Sequence, residues 1–133
     1  MSIRIVRLGS PRLPGEGLRI GTVRRPPRGV PKSRFAAENW YDVWFADLSP
    51  SPETMKLGQA ADRPEKWAAF VRKYRAEMAA PGNSRILDLL AALSRRSDFS
   101  VGCYCMDEAR CHRSVLRDLL AGKGAKLHTP ADR

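Results

Sequence analysis

The chain lacks several things, and each absence narrows its class. No apolar run is long enough for a transmembrane helix, because charge interrupts every one. The arginine-bearing N-terminus has no apolar core segment of the kind a secretory signal needs. Cysteine is scarce and odd in number: three residues, Cys103, Cys105 and Cys111, all within one short stretch. That pattern argues against a disulfide framework and fits reduced thiols in a cytoplasm. No internal repeat is visible. With 133 residues, 43% of them hydrophobic, the chain suits one domain, 1–133, with a real core.

Acidic residues are scarce at one end. The formal net charge is +10, and residues 1–34 hold nine Lys or Arg against the single Glu16. A field of that sign attracts phosphates, nucleic acid or acidic partners, although a merely solvated arginine-rich surface gives the same count. Within this region, RRPPRGVPK at 24–32 cannot be regular structure, since three prolines remove donors and fix φ. The basic loop 24–34 offers Arg24, Arg25, Arg28 and Lys32 as a phosphate-contacting rim, yet no aromatic is interleaved with them.

Strands are expected at Ile3–Leu8, Leu18–Val23 and Tyr41–Phe45. Trp40, Tyr41, Trp44 and Phe45 read as core before they read as a base-stacking surface. The stretch 47–62 reads as a long loop, a candidate lid. A helix start follows at Asp62-Arg63-Pro64-Glu65, with Trp67, Phe70, Val71, Tyr74 and Met78 at helical spacing. Pro81-Gly82 stops that helix. The next, capped by Asn83 or Ser84, carries Ile86, Leu87, Leu89, Leu90 and Leu93.

The centre of the sequence is FSVGCYCMDEARCHRSVLRDLLAGKG at 99–124. It reads as a buried strand over Phe99–Cys105, a polar loop over Met106–Arg110, and a helix starting near Cys111, with Ala125–Thr129 a short last strand. The order of elements implies an α/β fold: a single small domain with a mixed, partly parallel sheet flanked by helices in Rossmann-like layering. In such sheets, sites lie beyond the strand C-termini, where this loop falls.

Four readings of the loop stay open. Free N–H groups at the helix start, with Arg110, His112 and Arg113, suit a phosphate or carboxylate. A cysteine at that start, near arginine, has its thiolate favoured; Cys111 and Cys105 are candidate nucleophiles, with His112 as base. Cys105 and Arg110 have the spacing of a sulfurtransferase-type loop. However, MDEA lacks the glycines of an anion cradle and adds two acids. A tyrosine-phosphatase loop would need arginine where Cys111 stands. Cys103, Cys105, Cys111 and His112 form a zinc-type donor set, although adjacent helical residues diverge by roughly 100°. Finally, Cys103 reads as a small core residue, and the isolated His128 as a surface or sheet-end group.

The Cys111-His112-Arg113 run after a cysteine-bearing strand resembles the YeaO-like proteins, a widespread bacterial and archaeal family of unknown function. PRGVPK at 27–32, WYDVWFADLSPS at 40–51 and RPEKWAAFVRKYRAEM at 63–78 agree in order. The resemblance implies a small cytoplasmic α/β domain with Cys-His-Arg at its site, and supplies no activity. Many relatives carry other residues at the place of Cys105, which weakens the two-thiol and zinc readings relative to an anion site. The expectation is a phosphate-bearing ligand, nucleotide or nucleic acid, with no cofactor and no membrane partner. Enzyme status and oligomeric state stay open.

Overall fold

The computed structural model describes residues 1–105 and 111–129. Its order is β1 (Ile3–Arg7), β2 (Leu18–Gly21), β3 (Val43–Trp44), α1 (Pro52–Gln59), α2 (Pro64–Met78), α3 (Pro81–Leu93), β4 (Phe99–Cys103) and α4 (His112–Gly122). The strands form one sheet in the order β1-β4-β2-β3. Every pairing in it is parallel, so the sheet is wholly rather than partly parallel. Leu127 adds an isolated parallel bridge to Ile3, which is what becomes of the expected strand at 125–129. None of the described helices is long and apolar enough to cross a membrane.

β4 is the central strand. All five of its residues are buried, as expected of a parallel strand covered on both faces. Ile3, Ile5 and Arg7 of β1 register with Phe99, Val101 and Cys103, and Leu18 and Ile20 of β2 with Phe99 and Val101. Gly102 is required there: a Cβ would run into the Val6 carbonyl of the neighbouring strand.

The alternating faces of β4 go to different layers. Phe99 and Val101 join the main core, which includes Phe70, Tyr74 and Met78 of α2, Leu87 and Leu90 of α3, and Leu116 and Leu120 of α4. Each such fully buried side chain contributes about 1.5–3 kcal/mol of apolar burial. Leu89 and Leu93, expected on the apolar face of α3, are instead exposed. Ser100 points the other way and donates to Glu16 Oε2 at 2.7 Å. That second face is covered by the 9–17 connection, anchored by the wholly buried Glu16–Arg19 pair at 2.8 Å.

The segment expected as a long loop, 47–62, is mostly helical. Ser51 caps α1 by accepting from the Thr54 N–H, with Pro52 in the first turn. Glu77 of α2 accepts from the Ser51 N–H and hydroxyl and from the Thr54 hydroxyl at 3.0, 2.6 and 2.7 Å, fastening α1 to α2. Pro81 starts α3 rather than ending α2, because a proline is tolerated where the first-turn N–H groups have no partner. In the basic loop, Lys32–Arg34 form a single 3-10 turn.

Candidate functional site

β4 ends at Cys103, two residues earlier than expected, and α4 begins directly after Cys111, the N-cap residue, in extended conformation (φ −132°, ψ 156°). The strand end and the helix start thereby bring three thiols and an imidazole together. Cys103 and Cys111 are buried with their Sγ atoms 2.7 Å apart, while Cys105 is exposed. Cys103 packs with Leu8, Val23 and Tyr41, as expected of a small core residue, and its Sγ also meets that of Cys111.

His112 occupies the first turn of α4 and is buried under Tyr74, whose ring lies edge-on at 5.6 Å. Its Nε2 lies 2.8 Å from the Thr22 carbonyl oxygen, which can only accept, so Nε2 carries the proton. That leaves Nδ1 bare, 3.7 Å from Cys111 Sγ. Burial holds the imidazole down, to a pKa of about 4, against the opposing pull of the Thr22 carbonyl. At neutral pH it is an uncharged acceptor facing Cys111.

The thiols sort themselves by hydrogen bonding and depth. The neighbouring Cys105 and Cys111 thiols, together with burial, push the Cys103 thiol far up. At Cys111 the Cys103 thiol in contact with it pulls down, but the neighbouring Cys105 and burial prevail, raising it to about 11. The neighbouring Cys103 and Cys111 thiols, in that order, and the Arg113 charge pull the Cys105 thiol well below the ordinary range despite partial burial. The stable form is one thiolate at Cys105 beneath two neutral thiols. Of the two candidate nucleophiles, Cys105 is the accessible one.

Arg113 is buried and donates through Nη2 to the Cys105 carbonyl at 2.6 Å, fixing the chain just past β4; its Nε has no partner among the described residues. Arg110 and the rest of the Met106–Arg110 loop lie outside the described residues.

Cys103, Cys105 and His112 open onto a cleft of about 490 Å³ whose walls include Arg24, Arg25, Tyr104, Met55, Lys56 and Gln59. No acidic residue lines it among the described residues. Arg24 reaches the Ser49 and Pro50 carbonyls at 3.1 and 3.2 Å and holds the approach to α1. Arg25 lines this cleft and a neighbouring one of about 740 Å³, where Arg28 also lies. Lys32 sits exposed on its 3-10 turn and lines neither. His128 bonds through its backbone N–H to the Ile3 carbonyl at the sheet edge, away from the thiols.

Sequence reading missed Met55, Lys56 and Gln59 because it placed no helix there, although Ser51-Pro52 is a serviceable cap signal. It also missed Thr22 and Tyr74, which fix His112 from elements 90 and 38 residues away in the chain and carry no local sign of doing so.

Fold and site together define a parallel α/β protein that gathers cysteine thiols and one neutral histidine beyond the C-terminal end of its central strand. The chain belongs to the DUF488-N3a family, described as the active DUF488-N3 subclade, which it matches over residues 3–124. Neither the curated proteins nor the solved structures include a match.

Proposed function

We propose that the 490 Å³ cleft binds a phosphate-bearing ligand, a nucleotide or nucleic acid, and presents the Cys105 thiolate to it as the reacting group. The observation that carries this reading is the placement of Cys105: the one exposed cysteine, at the wall of a cleft that among the described residues has three basic residues and no acid, close after the strand end that carries the buried Cys103. Arg25 and Lys56 supply attraction at the mouth, Arg24 shapes the wall, and Arg113 holds the Cys105 backbone. The bare Nδ1 of His112 faces Cys111 rather than Cys105, so the imidazole supports the buried thiol and not the reacting one. The YeaO-like resemblance of the Cys-His-Arg run reflects, on this reading, kinship within the DUF488 proteins. The setting is cytoplasmic, where the thiols stay reduced.

The test is alkylation mapped by mass spectrometry. Cys105 should react first with iodoacetamide at pH 6, and inorganic phosphate or thymidine monophosphate should slow it. Preferential reaction of Cys111, or a Cys105 rate untouched by both ligands, contradicts the reading.

A second reading rests on its own observation. The donor atoms of Cys103, Cys111 and His112 lie within 4.8 Å of one another, and the Thr22 carbonyl fixes the imidazole tautomer as the carbonyl partners of metal-bound histidines do. Cys105, the fourth donor of the sequence expectation, lies outside that group, and a water would complete a four-coordinate zinc set. Metal analysis decides: about one equivalent of zinc, lost in Cys111→Ser, favours this reading, and metal-free protein with a reactive Cys105 favours the first.

A further inference from the structure

The larger cleft beside the cysteines has no part in the reading above. It encloses about 740 Å³, with Arg7, Arg25, Arg28, Trp40 and Tyr104 among its walls and no acidic residue among the described residues. Arg25 and Tyr104 also line the cysteine cleft, so the two spaces adjoin across them.

Two kinds of group meet here in different states. The rings are held: the Tyr104 hydroxyl donates to the Arg25 carbonyl at 2.8 Å, and the Trp40 ring lies edge-on to Tyr104 at 5.9 Å. The cations are not held. Arg25 and Arg28 side chains make no hydrogen bond or ion pair among the described residues, and Arg7 uses only its Nε, on the Tyr104 carbonyl at 3.3 Å. Elsewhere in the same N-terminal region, Arg12 is paired with Asp42 and Arg19 with Glu16. Three of the cations in that region without an acidic partner among the described residues, Arg7, Arg25 and Arg28, thus face this cleft. Fixed aromatic rings beside unpaired guanidinium groups provide stacking for a base and compensation for its phosphates. The aromatics that the basic loop lacks in sequence are supplied by residues brought in from β4's end and from the turn before β3.

We infer that this cleft binds a nucleotide unit of single-stranded nucleic acid. A base can lie against the rings only when it is unstacked from a duplex partner. Each cleft is of the size that encloses a ligand of small-molecule dimensions, and a strand leaving this one past Tyr104 enters the cysteine cleft. The inference deepens, and for the strand's path rests on, the reading of the cysteine cleft as a phosphate-ligand site.

The test uses the full chain with fluorescein-labelled oligothymidylates and with thymidine monophosphate, read by fluorescence anisotropy over a range of NaCl concentrations. The oligomers should bind more tightly than the mononucleotide, with affinity falling steeply as salt rises. Arg25→Ala and Arg28→Ala should each weaken binding and lower the salt slope by about one. Trp40→Leu should weaken binding about tenfold. Because Trp40 also packs against Gly9, bromouridine-substituted oligomers give an independent readout on the parent protein: crosslinks should map to Trp40 or Tyr104. Equal affinity for the mononucleotide and the oligomers, unchanged binding in both arginine variants, or crosslinks confined to other surfaces would overturn the inference. Phosphate protection of Cys105 without oligomer binding overturns it while leaving the cysteine-cleft reading intact. Oligomer binding with crosslinks at Trp40 but an unprotected Cys105 supports the nucleotide cleft and overturns the cysteine-cleft reading.

Discussion

Among the described residues two arginines, Arg19 and Arg113, are almost fully buried, and they are buried in opposite ways. Arg19 engages every nitrogen of its guanidinium: Nε and Nη2 form a fork on Glu16 at 2.8 and 2.9 Å, and Nη1 reaches the Ser10 and Asn39 carbonyls at 2.8 and 2.7 Å. Burial alone would raise the Glu16 pKa, but Arg19 and Ser100 together hold it below the usual carboxylate value. The network is closed, lies behind the Ser10–Pro11 wall of the larger cleft and away from the cysteines, and joins the 9–17 connection, the turn before β3 and the central strand. Arg113 makes one strong bond, to the Cys105 carbonyl, and its Nε is left without a partner among the described residues. Around it stand a neutral imidazole with a bare nitrogen and a thiolate at the wall of a cleft. Satisfied burial holds the fold together. Incompletely satisfied burial at a strand end, open to a basic cleft, marks the place where chemistry is expected.

The largest effect should come from breaking the closed network. Arg19→Met strands Glu16 in the sheet layer and should cost about 3–5 kcal/mol in urea unfolding. Iodoacetamide labelling of Cys105 in the fraction that remains folded should keep its parent rate. A cost under 1 kcal/mol would erase the contrast between the two arginines.

Next in size is acid sensitivity from His112. Its folded pKa of about 4 lies below the ordinary value of 6.5, so the unfolded chain binds the extra proton first. Its contribution is fully present above pH 6.5 and is lost as pH falls toward 4, by about 3 kcal/mol in all. Unfolding followed by circular dichroism from pH 7 to pH 4 should show that fall, and His112→Gln should flatten it. An equal slope in parent and variant would remove His112 from the account.

Cys105→Ser should change stability by no more than about 0.5 kcal/mol, because the side chain is exposed, yet abolish the fast-alkylating thiol. Arg28→Ala should leave thermal stability essentially unchanged, since the guanidinium has no described partner to lose. A drop of several degrees in Tm would mean that Arg28 belongs with Arg19 as a structural residue.

Much of the frame was legible in the sequence. β1, β4, α2 and α4 show their apolar periodicity directly, and the cysteine-rich stretch at 99–124 already singles out the strand end and helix start where the candidate site lies. What stayed hidden depends on distance along the chain. Nothing near Glu16 says that it will meet Ser100, and nothing near Thr22 says that its carbonyl will set the tautomer of His112. Arg19, counted among the basic residues of the N-terminus, turns out to be neutralised inside the sheet layer. α1 was lost because its polar, glycine-containing helix lacks an apolar stripe, leaving only the Ser51-Pro52 cap as a sign. Trp40 and Tyr104 read separately as strand and core aromatics, and only the fold sets them beside Arg25 and Arg28.

The central claim is that Cys105 carries the thiolate of the cluster, and the most direct measurement is the pH dependence of alkylation at each cysteine, resolved by peptide mass spectrometry. Cys105 should label rapidly and with little change from pH 8 down to pH 5, while Cys103 and Cys111 stay slow until the pH approaches 11 or the chain unfolds. If Cys105 instead shows an ordinary thiol profile, rising only near pH 8 to 9, or if Cys111 labels first, the assignment of the reacting group is wrong.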